Sequence, residues 1–385
     1  AIMATDAAES NGVKLAQLSE RVEATLRTFL PPEASCRNPV DMIASASPEN
    51  YERTLRAVLD DPAVDAAMLI SVPPVAFDSM DLMRRVSGVC AAATKPVYAV
   101  VMAPDAFYDE VHAIANHPPI YRFPENAMRA FRDAARYAEW KAKPAEDAPT
   151  FGDVDQMRAA SILGGRDGWL EPEDAFALLE AYRLPTAPVR TASDPDDVPA
   201  LSRATGYPCV LKATGSRLVH KSDVGGVALN LRDESEVAAA VKTMLAKLAA
   251  AGKRDDAERF VVQRQAPAGR ELLIGGVRDP KIGPVLAFGL GGKYVEVLKD
   301  VVFRLAPLTR SDAVAMISGI RGAALLDGVR GEPAVDKEAL VELLLRTGRL
   351  LADHPSILEL DLNPVIAQPR GGRTLVVDVR VRVAS

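Results

Sequence analysis

The chain contains 385 residues, of which 48% are hydrophobic and 25% are charged, and its formal net charge is -6 at pH 7. Because single hydrophobic cores stop growing near roughly 250 to 300 residues, this length predicts two or three domains. The negative net charge and the aromatic content of 5% provide no basic surface, so nucleic acid is not an expected partner.

The three cysteines, Cys36, Cys90 and Cys209, are far apart in the sequence. Their odd number and wide spacing indicate neither a disulfide framework nor a zinc site. No apolar run reaches the roughly 20 residues that a membrane span needs, and the N-terminus lacks a secretory signal pattern. We therefore expect a cytoplasmic protein without a membrane partner.

Residues 1–140 alternate short apolar strands with helical segments. Strands are predicted at residues 66–74, 95–103 and 119–124, followed by a closing helix. Continuous apolar strands separated by helices are typical of a parallel sheet that is covered on both faces. We expect a flavodoxin-like domain here. Its start is expected to be truncated, because the chain opens on a helical pattern with no strand before it.

Residues 141–152 are polar and rich in proline and alanine, and we predict that they form a linker. Beyond them, strands are predicted at 208–214, 225–231, 260–266, 271–279 and 283–290. The run from Gly276 to Gly283 is predicted to join two strands as a hairpin turn. This second half predicts an α+β domain with antiparallel strands.

A lysine and a glycine pair form the first candidate functional feature. Lys212 lies on a predicted strand, where a lysine can pair with a nucleotide phosphate as a point charge, although strand lysines usually face solvent. Gly225 and Gly226 precede Val227 at the start of the next strand. Adjacent glycines let backbone N–H groups approach phosphate oxygens closely, but an ordinary hairpin connection explains the same glycines equally well.

Asn363 and Asp378 form the second candidate feature. They lie on predicted strands that are joined by a turn at Gly371 and Gly372. An amide oxygen and a carboxylate on one face can share a magnesium ion with phosphate oxygens, because Mg²⁺ prefers few, hard protein ligands. Pro364 follows Asn363, and proline within a strand requires an edge or a bulge. Its presence there indicates a site.

Four long segments follow one another along the chain: NPVDMIASASPENYERTLRAVLDDPAVDAAMLISVPP, YPCVLKATGSRLVHKSDVGGVALNL, GRELLIGGVRDPKIGPVLAFGLGGKYVEVLKDVVFRLAPL and LELDLNPVIA. In this order they resemble the ADP-forming acyl-CoA synthetases (acetate–CoA ligases), the family related to succinyl-CoA synthetase. The first segment is similar to the ligase-type flavodoxin domain, and the others are similar to the ATP-grasp domain. The resemblance implies two ATP-grasp subdomains, at residues 153–262 and 263–385.

The resemblance also implies a site for ATP or ADP. Its residues would be Lys212, Gly225, Gly226, Val227, Gln263 and Glu271. Lys212 would pair with phosphate, the glycines would form a phosphate lid, and Gln263 would lie at the hinge beside the adenine. Asn363 and Asp378 correspond to the Mg²⁺ ligands of the family. Asp361 stands where the family often has glutamate, so its role stays open.

His220 is the candidate catalytic residue. It resembles the histidine that takes phosphate from ATP in the ADP-forming acetyl-CoA synthetases and carries it to a second histidine on another domain. A neutral imidazole is both a nucleophile and a leaving group, and the neighbouring Lys221 and Asp223 are suited to set its charge and orientation. A surface histidine that caps a strand turn is the alternative interpretation.

The implied reaction converts a carboxylate, CoA and ATP into acyl-CoA, ADP and phosphate through an acyl phosphate and phosphohistidines. Acetate or another short acid is the default substrate, and an aryl or cinnamic acid is the alternative. No dinucleotide-type glycine fingerprint follows an early strand. We therefore expect the CoA-binding domain and the domain with the first phosphohistidine in a longer chain or a separate subunit. A homo-oligomer is also expected.

Two other functions remain open from the sequence. The chain resembles the synthetase-like regulatory region of some protein acetyltransferases, which senses a ligand without ligation. It is also compatible with an ATP-grasp ligase in which His220 is a bystander. The joint presence of His220, Lys212, Asn363 and Asp378 favours an active ligase over the regulatory region.

Overall fold

The computed structural model describes residues 2–73, 77–215, 218, 221, 223–292, 300–329 and 331–384. Contacts between Cα atoms divide the chain into two compact units, Ala1–Pro144 and Ala145–Ser385. Among the helices that the structure describes, none is both long enough and apolar enough to span a bilayer.

The first unit is an α/β layer. Its described helices are α1 (Ile2–Ser10), α2 (Glu20–Arg27), α3 (Pro48–Leu59), α4 (Ser79–Cys90), α5 (Asp105–His112) and α6 (Pro124–Ala142), and its strands are β1 (Ala67–Ser71), β2 (Val97–Val101) and β3 (Ile120–Tyr121). The strands form a parallel sheet in the order β1-β2-β3. The predicted parallel sheet is thus confirmed. Helix α6 extends through the first two residues of the predicted linker.

Local sequence explains these elements. All five residues of β2 are buried, as expected for a central parallel strand that is covered on both faces. Leu82, Met83 and Val86 of α4 pack into the same core. Helix α3 begins at a capping box, in which the Ser47 side chain accepts from the backbone N–H of Asn50 and the Asn50 side chain accepts from the backbone N–H of Ser47.

The second unit is α+β. Its described helices are α7 (Gln156–Leu163), α8 (Pro172–Ala181), α9 (Val198–Thr205), α10 (Glu234–Ala250), α11 (Arg310–Gly319) and α12 (Lys337–Asp353). Its described strands are β4 (Gly168–Trp169), β5 (Val189–Ala192), β6 (Cys209–Thr214), β7 (Val227–Leu231), β8 (Arg259–Arg264), β9 (Arg270–Asp279), β10 (Gly283–Leu290), β11 (Val301–Leu305), β12 (Ile357–Ala367), β13 (Leu375–Val376) and β14 (Val379–Val383). Short 3-10 turns lie at Pro195–Asp197 and Ala323–Asp327.

These strands build two antiparallel sheets from the described residues. The smaller sheet has four strands in the order β5-β8-β6-β7, and the larger has seven strands in the order β11-β10-β9-β12-β14-β4, with β13 paired to β12. The predicted antiparallel α+β architecture is confirmed. The predicted hairpin between β9 and β10 is also present, and its turn is held by the Asp279 carboxylate, which accepts from the backbone N–H groups of Lys281 and Ile282.

The second unit has two hydrophobic cores. Ala159 of α7 and Phe176 and Leu179 of α8 are buried in the core of the seven-stranded sheet. The core of the four-stranded sheet contains residues of α9 and α10. Each of these helices packs where its apolar stripe is buried. The predicted subdomain boundaries, residues 153–262 and 263–385, stay a prediction.

Leu360 on β12 provides a test of this core. It is 1% exposed in the seven-stranded sheet, whereas Leu305 on β11 of the same sheet is 55% exposed. We expect Leu360→Ala to lower the free energy of unfolding by about 2–5 kcal/mol, because it removes buried methyl groups and leaves a cavity. Leu305→Ala should change it by less than about 0.5 kcal/mol. Urea unfolding followed by circular dichroism measures both, and equal losses would contradict the assigned core.

Candidate functional site

Lys212 lies at the centre of the candidate site. It is on β6, opposite Val227 of β7 and Val261 of β8, and it is only 8% exposed. Its Nζ donates to Gln263 Oε1 at 2.9 Å and also to the backbone carbonyl of Val377. Val377 lies between β13 and β14 of the other sheet. The Lys212 ammonium group therefore joins the two sheets of the second unit.

The environment of Lys212 lowers its proton affinity. Burial lowers the pKa of Lys212 to about 8, Asp378 opposes this shift, and the second cation, Lys221, adds to it. The amine is therefore still mainly protonated at neutral pH. A buried ammonium group beside a carboxylate can donate a charge-assisted hydrogen bond to a phosphate group.

Gln263 adds an unused donor beside this lysine. Its side chain lies on β8 and is 1% exposed. Its Oε1 accepts from Lys212, but its Nε2 is buried without a hydrogen-bond partner among the described residues. Because buried polar groups are nearly always paired, this amide donor fits an acceptor supplied by a ligand, such as a nucleotide.

Asp378 is bound by a second lysine. Lys221 Nζ lies 2.6 Å from Asp378 Oδ2, and each side chain is 23% exposed. Burial alone would raise the pKa of Asp378, but Lys212 and Lys221 outweigh it and hold the pKa below its usual range. Asp378 therefore stays ionised, as a metal ligand must.

Backbone pairing places Asn363 opposite Asp378. The Asn363 backbone N–H donates to the Asp378 carbonyl at 3.2 Å, and the Val377 N–H donates to the Pro364 carbonyl at 3.2 Å. Opposite β9, the register of β12 shifts between Leu362 and Val365. The sequence left an edge or a bulge open at Pro364, and the structure shows this irregularity in the register. Asp378 itself lies between β13 and β14 rather than inside one continuous strand.

The Asn363 and Asp378 pair fits Mg²⁺. No group of three or more His, Cys, Asp and Glu residues with metal-binding geometry occurs in the part of the chain that the structure describes. An amide and a carboxylate are nevertheless enough for Mg²⁺, which usually keeps several waters and binds substrate phosphates. The donor set is hard and small, as this ion requires.

Asp361 lies two residues before Asn363 on β12, opposite Arg380 of β14. Burial raises the pKa of Asp361 to about 6, the Asp378 charge adds to the rise, and Arg380 opposes it. Asp361 is therefore still mainly ionised at neutral pH. Its role remains unassigned.

The glycine pair forms a tight turn before β7. The Gly226 N–H donates to the Lys221 carbonyl at 2.6 Å, and the Ala213 N–H donates to the Gly226 carbonyl at 2.8 Å. A Cβ on Gly226 would lie 2.8 Å from the Lys221 carbonyl oxygen, and Gly225 has φ +75, so this backbone favours glycine at both positions. His220 lies outside the described residues.

Glu271 is opposite Ile366, three residues after Asn363 on β12. It is on β9, and the Gly291 N–H donates to its carbonyl at 2.8 Å. A Cβ on Gly292 would lie 2.2 Å from Glu271 Oε2, so this glycine permits a close approach. Within the described ranges, no hydrogen bond or ion pair links Glu271 to Lys212 or Asp378. The structure thus groups Lys212, Gly225, Gly226, Val227, Gln263, Asn363 and Asp378, but not Glu271.

Two contributors to the site had weak sequence signals. Lys221 was expected to assist His220, whereas its ammonium binds Asp378. The Val377 carbonyl, which accepts from Lys212, belongs to the backbone and has no side-chain signature. The interruption between β13 and β14 that contains Val377 is seen only in the structure.

Two family models match the chain. A model of the ATP-grasp domain matches residues 161–383, more than half of the chain, and a model of the Ligase-CoA domain matches residues 1–130. Together with two antiparallel sheets joined by a buried lysine, these matches define an ATP-grasp protein with a ligase-type α/β unit.

Curated relatives show to which family of ATP-grasp proteins the chain belongs. The ADP-forming acetate–CoA ligase I of Archaeoglobus fulgidus is 36% identical over 94% of this chain and 53% of its own length. The beta subunit of the ADP-forming acetate–CoA ligase I of Pyrococcus furiosus is 39% identical over 51% of this chain and 85% of its own length. The chain belongs to the family of ADP-forming acyl-CoA ligases. It spans about half the length of the first of these relatives.

Solved structures of one further protein are similar to the second half. They belong to acetyl-coenzyme A synthetase 1 of Ca. Korarchaeum cryptofilum, and each match covers 60% of this chain and 99% of the solved chain at 40% identity. One complex holds coenzyme A and Ca-AMPCP, with a TM-score of 0.54. Another holds coenzyme A and Mg-AMPPCP, with its phosphohistidine segment pointing towards the nucleotide binding site, at a TM-score of 0.50.

The buried Lys212 predicts a dependence of stability on pH. Its pKa of about 8 lies below the ordinary value of 10.5, so between these pH values the unfolded chain binds more protons than the folded chain. The contribution of Lys212 to the free energy of unfolding therefore rises with pH across this window, by on the order of 3 kcal/mol at 1.4 kcal/mol per pKa unit.

Chemical unfolding of the wild type and Lys212→Met between pH 7 and 10.5 measures this rise as the difference between the two proteins. Lys337→Met is the matched control, because Lys337 pairs with Asp327 at the surface. A difference that stays flat with pH would contradict the low pKa of Lys212.

Proposed function

We propose that this chain is the nucleotide-binding portion of an ADP-forming acyl-CoA ligase. The complete enzyme would convert a carboxylic acid, CoA and ATP into acyl-CoA, ADP and phosphate. The observation that carries the proposal is the Lys212, Asp378 and Lys221 cluster beside the unpartnered Gln263 amide. It combines two ammonium groups, a carboxylate and a free donor where the two sheets meet.

The nucleotide would bind at this junction. Lys212 is held in place by Gln263 and the Val377 carbonyl, so its ammonium is positioned before the phosphates arrive. Gly225 and Gly226 would bring backbone N–H groups to the phosphates. Gln263 Nε2 would donate a hydrogen bond to the adenine or to another acceptor of the nucleotide. Glu271 remains a nucleotide-binding candidate through family resemblance alone.

Asn363 and Asp378 would hold Mg²⁺, which supplies neutralisation of phosphate charge during phosphoryl transfer. The backbone hydrogen bond from the Asn363 N–H to the Asp378 carbonyl supports this assignment, because it holds the two residues side by side. The protein itself would contribute position and electrostatics, the main sources of catalysis in phosphoryl transfer.

His220 would accept the γ-phosphoryl group of ATP. The P–O bond to ADP would break as a P–N bond forms to the imidazole. The adjacent residue in sequence, Lys221, contacts Asp378, which supports the proposal that this stretch of sequence serves the metal and nucleotide site. The phosphohistidine segment in the K. cryptofilum synthetase supports the same chemistry by family likeness.

The rest of the reaction would need other domains. We propose that a CoA-binding domain and the domain with the first phosphohistidine belong to the same longer chain or to a separate subunit, as the separate beta subunit of the P. furiosus relative supports. A short acid such as acetate is the proposed substrate, with an aryl or cinnamic acid as the alternative. The proposed location is the cytoplasm, where ATP and CoA are supplied.

Phosphorylation of the chain by ATP tests this function. With Mg²⁺ and ATP labelled at the γ-phosphate, we expect acid-labile, base-stable label at up to one phosphate per chain, and we expect His220→Ala to abolish it. His117→Ala is the matched control and should label normally, because His117 lies in the first unit.

Label that survives His220→Ala unchanged would contradict the histidine relay and favour a ligase that uses acyl phosphate directly. If the full-length protein binds nucleotide but forms no ADP with any acid and CoA, the regulatory function would be favoured instead.

A further inference from the structure

Asp378, a proposed metal ligand, forms an ion pair with Lys221. Lys221 Nζ lies 2.6 Å from Asp378 Oδ2, and both side chains are mostly buried. A contact this short is a charge-assisted hydrogen bond, which holds more strongly than an exposed surface pair. Asp378 thus has a protein cation at Oδ2, one of the two carboxylate oxygens that it offers to a metal ion.

A metal ion and the Lys221 ammonium cannot share this oxygen at close range. Two like charges a few ångströms apart repel strongly in a partly buried site, where the effective dielectric is low. Lys212 contributes a second positive charge near Asp378. A divalent ion at Asp378 Oδ2 would therefore require the Lys221 ammonium to leave.

Lys221 is the lysine that is able to move. The Lys212 ammonium is buried and fixed by Gln263 and Val377. Lys221 is held through its backbone, because its carbonyl accepts from the Gly226 N–H at 2.6 Å, while Asp378 is the ion-pair partner of its ammonium. Its flexible four-carbon side chain can turn to another anion without displacing the backbone.

We propose that Lys221 is an exchangeable counter-ion for Asp378. Its ammonium and the divalent metal compete for the carboxylate, and it transfers to the nucleotide phosphates when the metal–nucleotide complex binds. This inference rests on the proposed function, because it takes Asp378 as a metal ligand. It makes Lys221 a residue that links metal binding to nucleotide binding.

Charge balance supports the exchange. Without ligands, the Lys221 ammonium neutralises Asp378. The complex of one Mg²⁺ with ATP carries about two net negative charges, so together with Asp378 and the two ammonium groups of Lys212 and Lys221 the bound site would carry about one net negative charge. With the metal ion on Asp378, the Lys221 ammonium would be available to the phosphates, and each anionic group of the site would have a cation beside it.

The exchange predicts effects of opposite sign for one substitution. Without nucleotide, Lys221→Met should raise the affinity for Mn²⁺ by about tenfold, because it removes the competing cation. With saturating Mn²⁺, the same variant should bind ADP and ATP about tenfold more weakly, because the phosphates lose a partner. Lys221→Arg keeps the charge and should show smaller effects in both assays.

Electron paramagnetic resonance of free Mn²⁺ and isothermal titration with nucleotide provide the two readouts on the full chain. Lys337→Met is the matched control, since Lys337 forms a surface ion pair with Asp327, and it should alter neither affinity. Thermal melting of each variant checks that it is folded.

The outcomes separate this inference from the function on which it rests. If Asp378→Asn leaves Mn²⁺ binding unchanged, the proposed metal site is wrong. If Asp378→Asn abolishes binding while Lys221→Met leaves Mn²⁺ affinity unchanged or lowers it, the site stands and the competition is overturned. A higher Mn²⁺ affinity with unchanged nucleotide affinity overturns the transfer to phosphate.

Discussion

The buried ammonium group of Lys212 is the contact on which the organisation of the second unit depends. It extends from the four-stranded sheet and donates to Gln263 in the same sheet and to the Val377 carbonyl in the seven-stranded sheet. A buried charge without such partners would cost several kcal/mol, so the pairing fixes the position of both sheets around it. The residue next to Val377 is Asp378, and the same contact therefore brings a carboxylate to the lysine.

The irregular backbone around Asp378 explains why the other candidate ligands meet there. The register of β12 against β9 shifts at Pro364, whereas Val377 and Asp378 still pair through their backbones with Pro364 and Asn363. Because proline has no N–H to donate, the Val377 carbonyl opposite Pro364 is free to accept from Lys212. Asp378, the next residue, is flanked by the charges of two lysines. The candidate site thus lies where the backbone departs from regular strand geometry, as functional sites often do in folded proteins.

The fold followed from the sequence where periodicity was strong. Continuous apolar runs predicted the parallel sheet around β2, and turn residues predicted the hairpin between β9 and β10. The packing of α7 and α8 on the seven-stranded sheet was not predictable, because an apolar stripe shows that a helix is buried but not against which sheet. At the site, residue types suggested Lys212, Asn363 and Asp378. The contact of Lys221 with Asp378 depends on a tertiary approach between residues 157 positions apart, which no local pattern encodes.

The most direct test of this account is a crystal structure of the chain with Mg²⁺ and a non-hydrolysable ATP analogue. The account predicts the phosphates within hydrogen-bond distance of Lys212 Nζ, the metal ion on Asn363 and Asp378, and Gln263 Nε2 paired with the nucleotide. A nucleotide bound elsewhere, with Lys212 still buried between Gln263 and Val377 and no metal at Asp378, would contradict it.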